Sequence, residues 1–576
     1  MPIQKTVVCI SIILQSSNER CNYLQGLLGI FFHSTSVPQK VIDVLAHAGL
    51  SMSITSIHNA IHSMSKEIAA NTKQGIRSLK VSFAYDNFDI DFKTSEPTIG
   101  HRSTFVSATS ATSLPLVGVD NPDVLRCSAA LWATDSRNPA PSTTATDQIP
   151  FRSMRIKQST ADGNMEVMEN LLRQGGIGDP TDKDFESAGD VDMSEHVLLI
   201  HGDLLTKERL DTVRDTRRIE STPKNRFQYI IFLPGLFHYK MACADAIWRT
   251  YLQPKEGRDD SNSMFQHVGI LRLQETGRIS TKPGFRRMHD VIHHDLHASI
   301  LECWRLEAQL RQPVEWQTLE KFGKSEVEWD LLVEMSEAIV HKYVATSDKL
   351  GELRARPVSE RDQQFENQCL RNRDQLLYVD LCQAMNAGDI GRVEASFLPW
   401  IYIFCATGKH KYAAQINKFS MNLRYTYPED LSNIIRLNLL CNPTGKSNAF
   451  RAVDWLVERN NLYTKVVVLS TGPNCTIDHI IKQSPLIEVF RNCHVIMENA
   501  FYLKNRTIRH THPDMTTTIE KLRSYIQSTS AYIPQGRSAK RVIEDQIAVG
   551  MKLIQQKKVS QTMSSEERYE AEPEDF

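Results

Sequence analysis

The chain has 576 residues, 41% of them hydrophobic and 23% charged, with a formal net charge of −1. That length exceeds one ordinary core and predicts about two to four domains, or one domain with large insertions. A near-neutral chain does not bind DNA over its whole surface, so any DNA contact has to come from a local basic patch. The 11 cysteines are scattered and odd in number, with no CxxC pair, which argues against zinc-ribbon and thioredoxin-type readings and for a reducing compartment.

"TVVCISIILQ", near the N-terminus, has a short apolar part, one preceding Lys5 and no small-residue cleavage site, so it reads as the start of a buried helix rather than a targeting segment. With no apolar run of about 18 residues, no membrane span is expected, and the protein is placed inside the cell, nuclear or cytoplasmic and not secreted. Residues 7–70 carry apolar side chains at helical spacing, with Ser51 or Ser53 positioned to start a second helix. A plain helical bundle is preferred there over a DNA-binding helix-turn-helix.

A strand follows at 79–85, and it runs into "FAYDNFDID" with Asp86, Asp89 and Asp91. Strands disfavour Asp. Either the sheet ends there in a turn, or carboxylates are held at a strand end for chemistry. The Ser-, Thr- and Val-rich segment 101–117 can return as a hairpin, and the Pro-, Ser-, Gly- and Asp-rich stretch 138–192 reads as a mobile, removable insertion with one helix near "NMEVMENLLRQ".

"HVLLIHGD" is a buried strand ending in Gly202-Asp203, and "RFQYIIFLPG" is a second; with helical patterns after each, they predict a parallel pair in an α/β layer. From about 256 to 440 the pattern is helical, with Trp304, Trp316 and Trp329 as expected packing anchors, and a further helix begins in "AFRAVDWLVERNN". The expected segments are an N-terminal helical region (1–75), a first core part (76–137), the insertion (138–192), a second core part (193–255), a helical insertion (256–440), a helical part completing the core (441–530) and a tail (531–576) that ends acidic. The fold class is α/β and α-rich.

Ligands of α/β sheets bind beyond the carboxyl ends of strands. Asp86 and Asp203, leaving adjacent strands with carboxylates within about 8 Å, can hold Mg²⁺ or Mn²⁺ through oxygen, with a third carboxylate from a helix. Asp454 and Glu458, at i and i+4, share a helix face, and Glu458 is the expected ligand. Asp89 is the reserve, on the same face as Asp91 if the strand continues. The bland alternatives stand beside these: Asp203 as a helix cap, Asp86 and Asp89 as turn residues, Asp454 and Glu458 as a polar helix face. His289, His293 and His297 have zinc-binding spacing but lack the Glu of an HExxH site, so a polar helix face is preferred. His410 and Lys411 start a helix that can meet a phosphate or simply pack. "CNPTGKS" lacks the first Gly of a phosphate-binding loop and reads as a turn.

"SFAYDNFDIDFKTSEPT", "LLIHGDLLTKERL", "IFLPGLFHYKM", "MNAGDIGRVE", "GKHKYAAQI" and "LLCNPTGKSNAFRAVDWLVERNN" occur in this order, after "VCISIILQSSNERCNYLQGLLGIFFHS" and "PQKVIDVLAHAGLSMS". Together they resemble the fungal family known as domain of unknown function 6589, over most of the chain. The family identifies relatives rather than a reaction.

A more distant resemblance is to the RNase H-like transposases of DNA transposons, in which two Asp and a later Glu bind the catalytic metals. It implies an RNase H-like mixed sheet with a large helical insertion before the Glu, and Asp86, Asp203 and Glu458 as catalytic ligands. His238 in "LPGLFH" resembles the His of a CxxH-like element, although Gly235 stands where Cys or Asp is expected. A catalytically silent interaction or scaffold protein that keeps the fold is the alternative.

Overall fold

The computed structural model describes residues 2–92, 104–128, 131, 148–469, 476–503 and 513–556. The chain divides into two compact units, one of Met1–Phe237 and Met421–Thr511, the other of His238–Ser420 and His512–Phe576.

The first unit starts with helices α1 (Pro2–Ser17), α2 (Tyr23–Ser34), α3 (Gln39–His47) and α4 (Ile54–Ile76). Ser53 starts α4 by accepting from the Ser56 amide, as its short polar side chain favours. Ile42, Ile57 and Ile61 pack with Leu486, Ile487 and Phe490. Helix α1 departs from expectation: it is helical but not buried, with Val7, Ile10, Ile13 and Leu14 exposed.

Strand β1 (Val81–Phe92) pairs antiparallel with β2 (Thr104–Pro115), which pairs antiparallel with the two-residue β3 (Ile149–Pro150). On its other side β1 runs parallel to β6 (Leu198–Gly202), and β6 parallel to β7 (Ile230–Pro234), giving the order β3-β2-β1-β6-β7. Between them lie α5 (Ala161–Gly175), the short parallel pair β4 (Ile177–Gly178) and β5 (Val191–Asp192), and, after β6, α6 (Leu204–Thr216). The sheet is therefore mixed, antiparallel on one side of β1 and parallel on the other.

β1 does not stop at Asp86, contrary to expectation. Its apolar alternation continues through the buried Phe88 and Ile90, and Asp89 is accommodated because the Ser107 hydroxyl opposite donates to its carboxylate at 2.6 Å. Phe83 and Tyr85 pack on one face against Val167, Met168 and Leu171 of α5 and Leu210 of α6. Much of the described part of the expected insertion, from Phe151 to Ile177, is thus core, whereas 180–190 is a largely exposed loop. Thr160 caps α5, Gly176 ends it at φ 62°, and the helix supplies side chains of at most 2% exposure. The helix expected near "NMEVMENLLRQ" forms, and it closes one face of the sheet rather than belonging to a removable segment. Residues 138–147 lie outside the described residues.

β7 leads into α7 (Leu236–Tyr251). When the chain returns to the first unit it forms α8 (Glu429–Asn438), the hairpin β8 (Leu440–Cys441) and β9 (Arg451–Ala452), then α9 (Val453–Leu469), α10 (Ile477–Gln483) and α11 (Ile487–Ala500). "CNPTGKS" spans that hairpin turn, closed by the Asn442 side chain donating to Lys446 O at 2.9 Å. The second face of β1 is covered by α9, through Val453, Leu456 and Val457 against Ala84, and by α10, through Ile477 and Ile480 against Phe88 and Ile90.

The second unit is helical among its described residues. Its long helices Phe285–Arg311 and Gln363–Ala387 meet along a polar seam, in which Asp295 accepts from Gln375 at 2.8 Å and pairs with His267 and Arg371. Burial would raise the Asp295 carboxyl, but Arg371 and His267 outweigh it and hold it at about 2. Trp316 is buried and meets Phe322 edge-on, whereas Trp329 is 74% exposed. The two units change over in sequence at 237/238, 420/421 and 511/512. Residues 513–556 belong to this unit, with Tyr532 donating to Asn372 at 2.9 Å, so they are not a tail; residues 557–576 lie outside the described residues. No helix among the described residues is long and apolar enough to cross a membrane.

Candidate functional site

Ala84 of β1 is in register with His201 of β6. Asp86 and Asp203 each lie two residues further along these parallel neighbours, whose backbones run about 4.8 Å apart. Asp203 follows the end of β6, whereas β1 continues past Asp86 paired with β2, so the two occupy neighbouring positions where β6 stops. Residues 84 and 86 share the face of β1 that α9 covers.

Helix α9 crosses this end with a polar stripe of Asp454, Glu458 and Asn461 at i, i+4 and i+7. At one end of the stripe, buried Asp454 accepts from the Phe237 amide at 3.0 Å, capping the first turn of α7. At the other, the Asn461 amide approaches Asp86 Oδ2 at 3.5 Å and Asn87 O at 3.4 Å, while Ser110 donates to Asn461 Oδ1. Glu458 lies between them along the helix and is half-buried.

Asp203 is also the N-cap of α6, accepting from the Thr206 amide at 2.7 Å. Asp86 Oδ1 accepts from Gln158 Nε2 at 3.1 Å and from the Asn87 amide at 2.8 Å. Arg209 of α6 senses both carboxylates: burial lowers its guanidinium, and Asp203, Tyr85, Glu208 and Asp86 act against that. His201, buried beneath α9, is pushed down to about 4 by burial, with Asp454 opposing. Its Nε2 has no hydrogen-bond partner among the described residues.

Gly235 has a steric reason. A Cβ there would lie 2.4 Å from Asp454 Oδ2 and 2.8 Å from Gly202 O. The space a Cys or Asp side chain would need is filled by the Asp454 carboxylate, so a CxxH-type pair with His238 has no first member.

A family described as "Family of unknown function (DUF6589)" matches residues 124–510. The chain belongs to this family. No curated protein and no solved structure matches it.

In this DUF6589 chain the remaining expected site residues are dispersed. Asp89 points to the face of β1 opposite Asp86, as period-two alternation requires, so it cannot replace Asp86 beneath α9. His238, His410 and Lys411 belong to the helical unit rather than to the unit of the carboxylates. His410 begins the helix His410–Met421, and the neighbouring Lys409 is buried and paired with Asp245 at 2.5 Å. Asn461, Gln158 and Arg209 went unnoticed in the sequence. Asn460-Asn461 carried a usable signal, because two buried amides inside an apolar helix need partners. Gln158 and Arg209 carried none.

Proposed function

We propose that the first unit is an RNase H-like core of transposase descent, and that Asp86, Asp203 and Glu458 bind divalent cations for DNA strand cleavage. The observation that supports this reading most is the register of β1 against β6, in which Ala84 pairs with His201 and Asp86 and Asp203 each follow two residues later. The strand order, antiparallel on one side of β1 and parallel on the other, agrees with an RNase H-like sheet.

Carboxylate oxygens are the donors that Mg²⁺ and Mn²⁺ prefer. Two such ions would activate a water or hydroxyl and stabilise the leaving oxygen of a phosphodiester. The chain's own residues do the positioning. The amides of Gln158 and Asn461 orient Asp86, the α6 cap fixes Asp203, and the α7 cap holds Asp454 away from the role of ligand. DNA would enter through a local basic patch, since the chain as a whole is neutral.

One observation favours the silent scaffold instead. Arg209 already lies within the field of both aspartates and can neutralise them without metal. Cutting of a labelled DNA duplex by the full chain in Mg²⁺ or Mn²⁺ separates the readings. Cleavage lost in Asp203→Asn and Glu458→Gln supports the enzyme. A wild type that neither cuts nor gains thermal stability from either metal leaves the scaffold.

A further inference from the structure

The polar seam of the helical unit ends in a second cluster, distinct from the carboxylates. His289 and His293, one turn apart on Phe285–Arg311, have ring centroids 4.4 Å apart. Cys382 comes from the facing helix Gln363–Ala387 and is buried. One ligand atom from each of the three lies within 4.8 Å of the other two. His297, third in the sequence pattern, is exposed and outside the cluster. We propose that His289, His293 and Cys382 form a Zn²⁺ site.

Two imidazoles and a thiolate are a donor set that suits Zn²⁺, and sites between facing helices of a bundle are built this way. With Zn–N about 2.0–2.1 Å and Zn–S about 2.3 Å, tetrahedral ligands stand about 3.5 Å apart. The cluster therefore has to contract by about 1.3 Å at most, which side-chain rotation supplies.

His293 Nε2 is buried and makes no hydrogen bond among the described residues, a costly state that a metal would relieve. Tyr378 supports the set: its hydroxyl is 2.8 Å from His289 Nδ1 and also hydrogen-bonds Cys382. One phenol fixing two ligands is the outer-shell arrangement that orients metal-binding side chains. Titratable neighbours include His294, Lys240 and Asp290 near His293, with Lys240 also near Cys382. Three protein ligands leave a fourth position for water.

The test uses the full chain, purified without a metal-affinity tag, stripped with chelator and reloaded. Elemental analysis should find about one Zn²⁺ per chain, and Co²⁺ in its place should give a thiolate charge-transfer band with tetrahedral visible bands. Cys382→Ser should abolish the charge-transfer band. Tyr378→Phe should weaken Zn²⁺ binding by about 10- to 100-fold. His297→Ala should leave both readouts unchanged. A reloaded wild type without stoichiometric Zn²⁺ and without the Co²⁺ band overturns the proposal, as does a Cys382→Ser protein that keeps the band. If Cys382→Ser fails to fold, the wild-type Co²⁺ spectrum still decides.

Discussion

Asp203 holds two positions at once, helix cap and candidate metal ligand, and a pair of substitutions separates them. Asn caps helices as well as Asp, whereas Ala does not, at a cost of about 1 kcal/mol. In a cooperative unit of about 330 residues that cost lowers Tm by about 1.5 °C. Without metal, Asp203→Ala should show that loss and Asp203→Asn should stay near wild type. Asp203→Asn relieves repulsion with Asp86 but also takes one carboxylate from Arg209, so no net gain is expected. With free Mg²⁺ about 100-fold above Kd, the wild type should gain about 2.7 kcal/mol, or about 4 °C. Both variants should lose that gain. Differential scanning calorimetry across a Mg²⁺ titration reads all three proteins. The metal argument fails if the wild type shows no shift, or if Asp203→Asn keeps the whole of it. Equal Tm values for the two variants without metal would refute the cap.

Glu458→Gln should abolish the Mg²⁺ shift while changing metal-free stability by less than about 0.5 kcal/mol. Asp454→Ala, which strips the buried acceptor of the Phe237 amide, should cost about 1–3 kcal/mol in urea unfolding, and matching losses for the two would contradict the split between ligand and cap. Leu171→Ala in α5 should destabilise the first unit by about 2–5 kcal/mol, since the side chain is fully buried; a change near zero would restore the removable insertion. His201 titrates at about 4 when folded against 6.5 unfolded, so between these values the unfolded chain binds more protons. The stability it contributes is present above pH 6.5 and is lost as the pH falls through 4, to a total of about 3 kcal/mol. His201→Gln should flatten that part of the stability–pH curve, and an unchanged slope would place the acid sensitivity elsewhere.

What was legible in the sequence was local. The strands around 198–202 and 230–234, the caps Ser53 and Asp203, the turn in "CNPTGKS" and the helix bearing Glu458 all follow from side-chain period and capping chemistry within a few residues. Nearby pattern misled where partners were distant. Asp86 looked like a strand end because Asp is a poor strand residue, yet hydrogen bonds from Gln158 and Asn461, 72 and 375 residues away, let the strand pass through it. Helix α5 looked dispensable because its flanks are turn-rich; its worth lies in the sheet face it covers. Helix α1 looked buried because apolar spacing reports a preference, and only tertiary packing supplies the partner. The same holds for the histidines. Sequence placed three on one helix face, but only the packing of a second helix replaced exposed His297 with buried Cys382. Period and capping act over a turn or two of chain, whereas a site's membership is set by pairings hundreds of residues apart, and these exist only once the fold has formed.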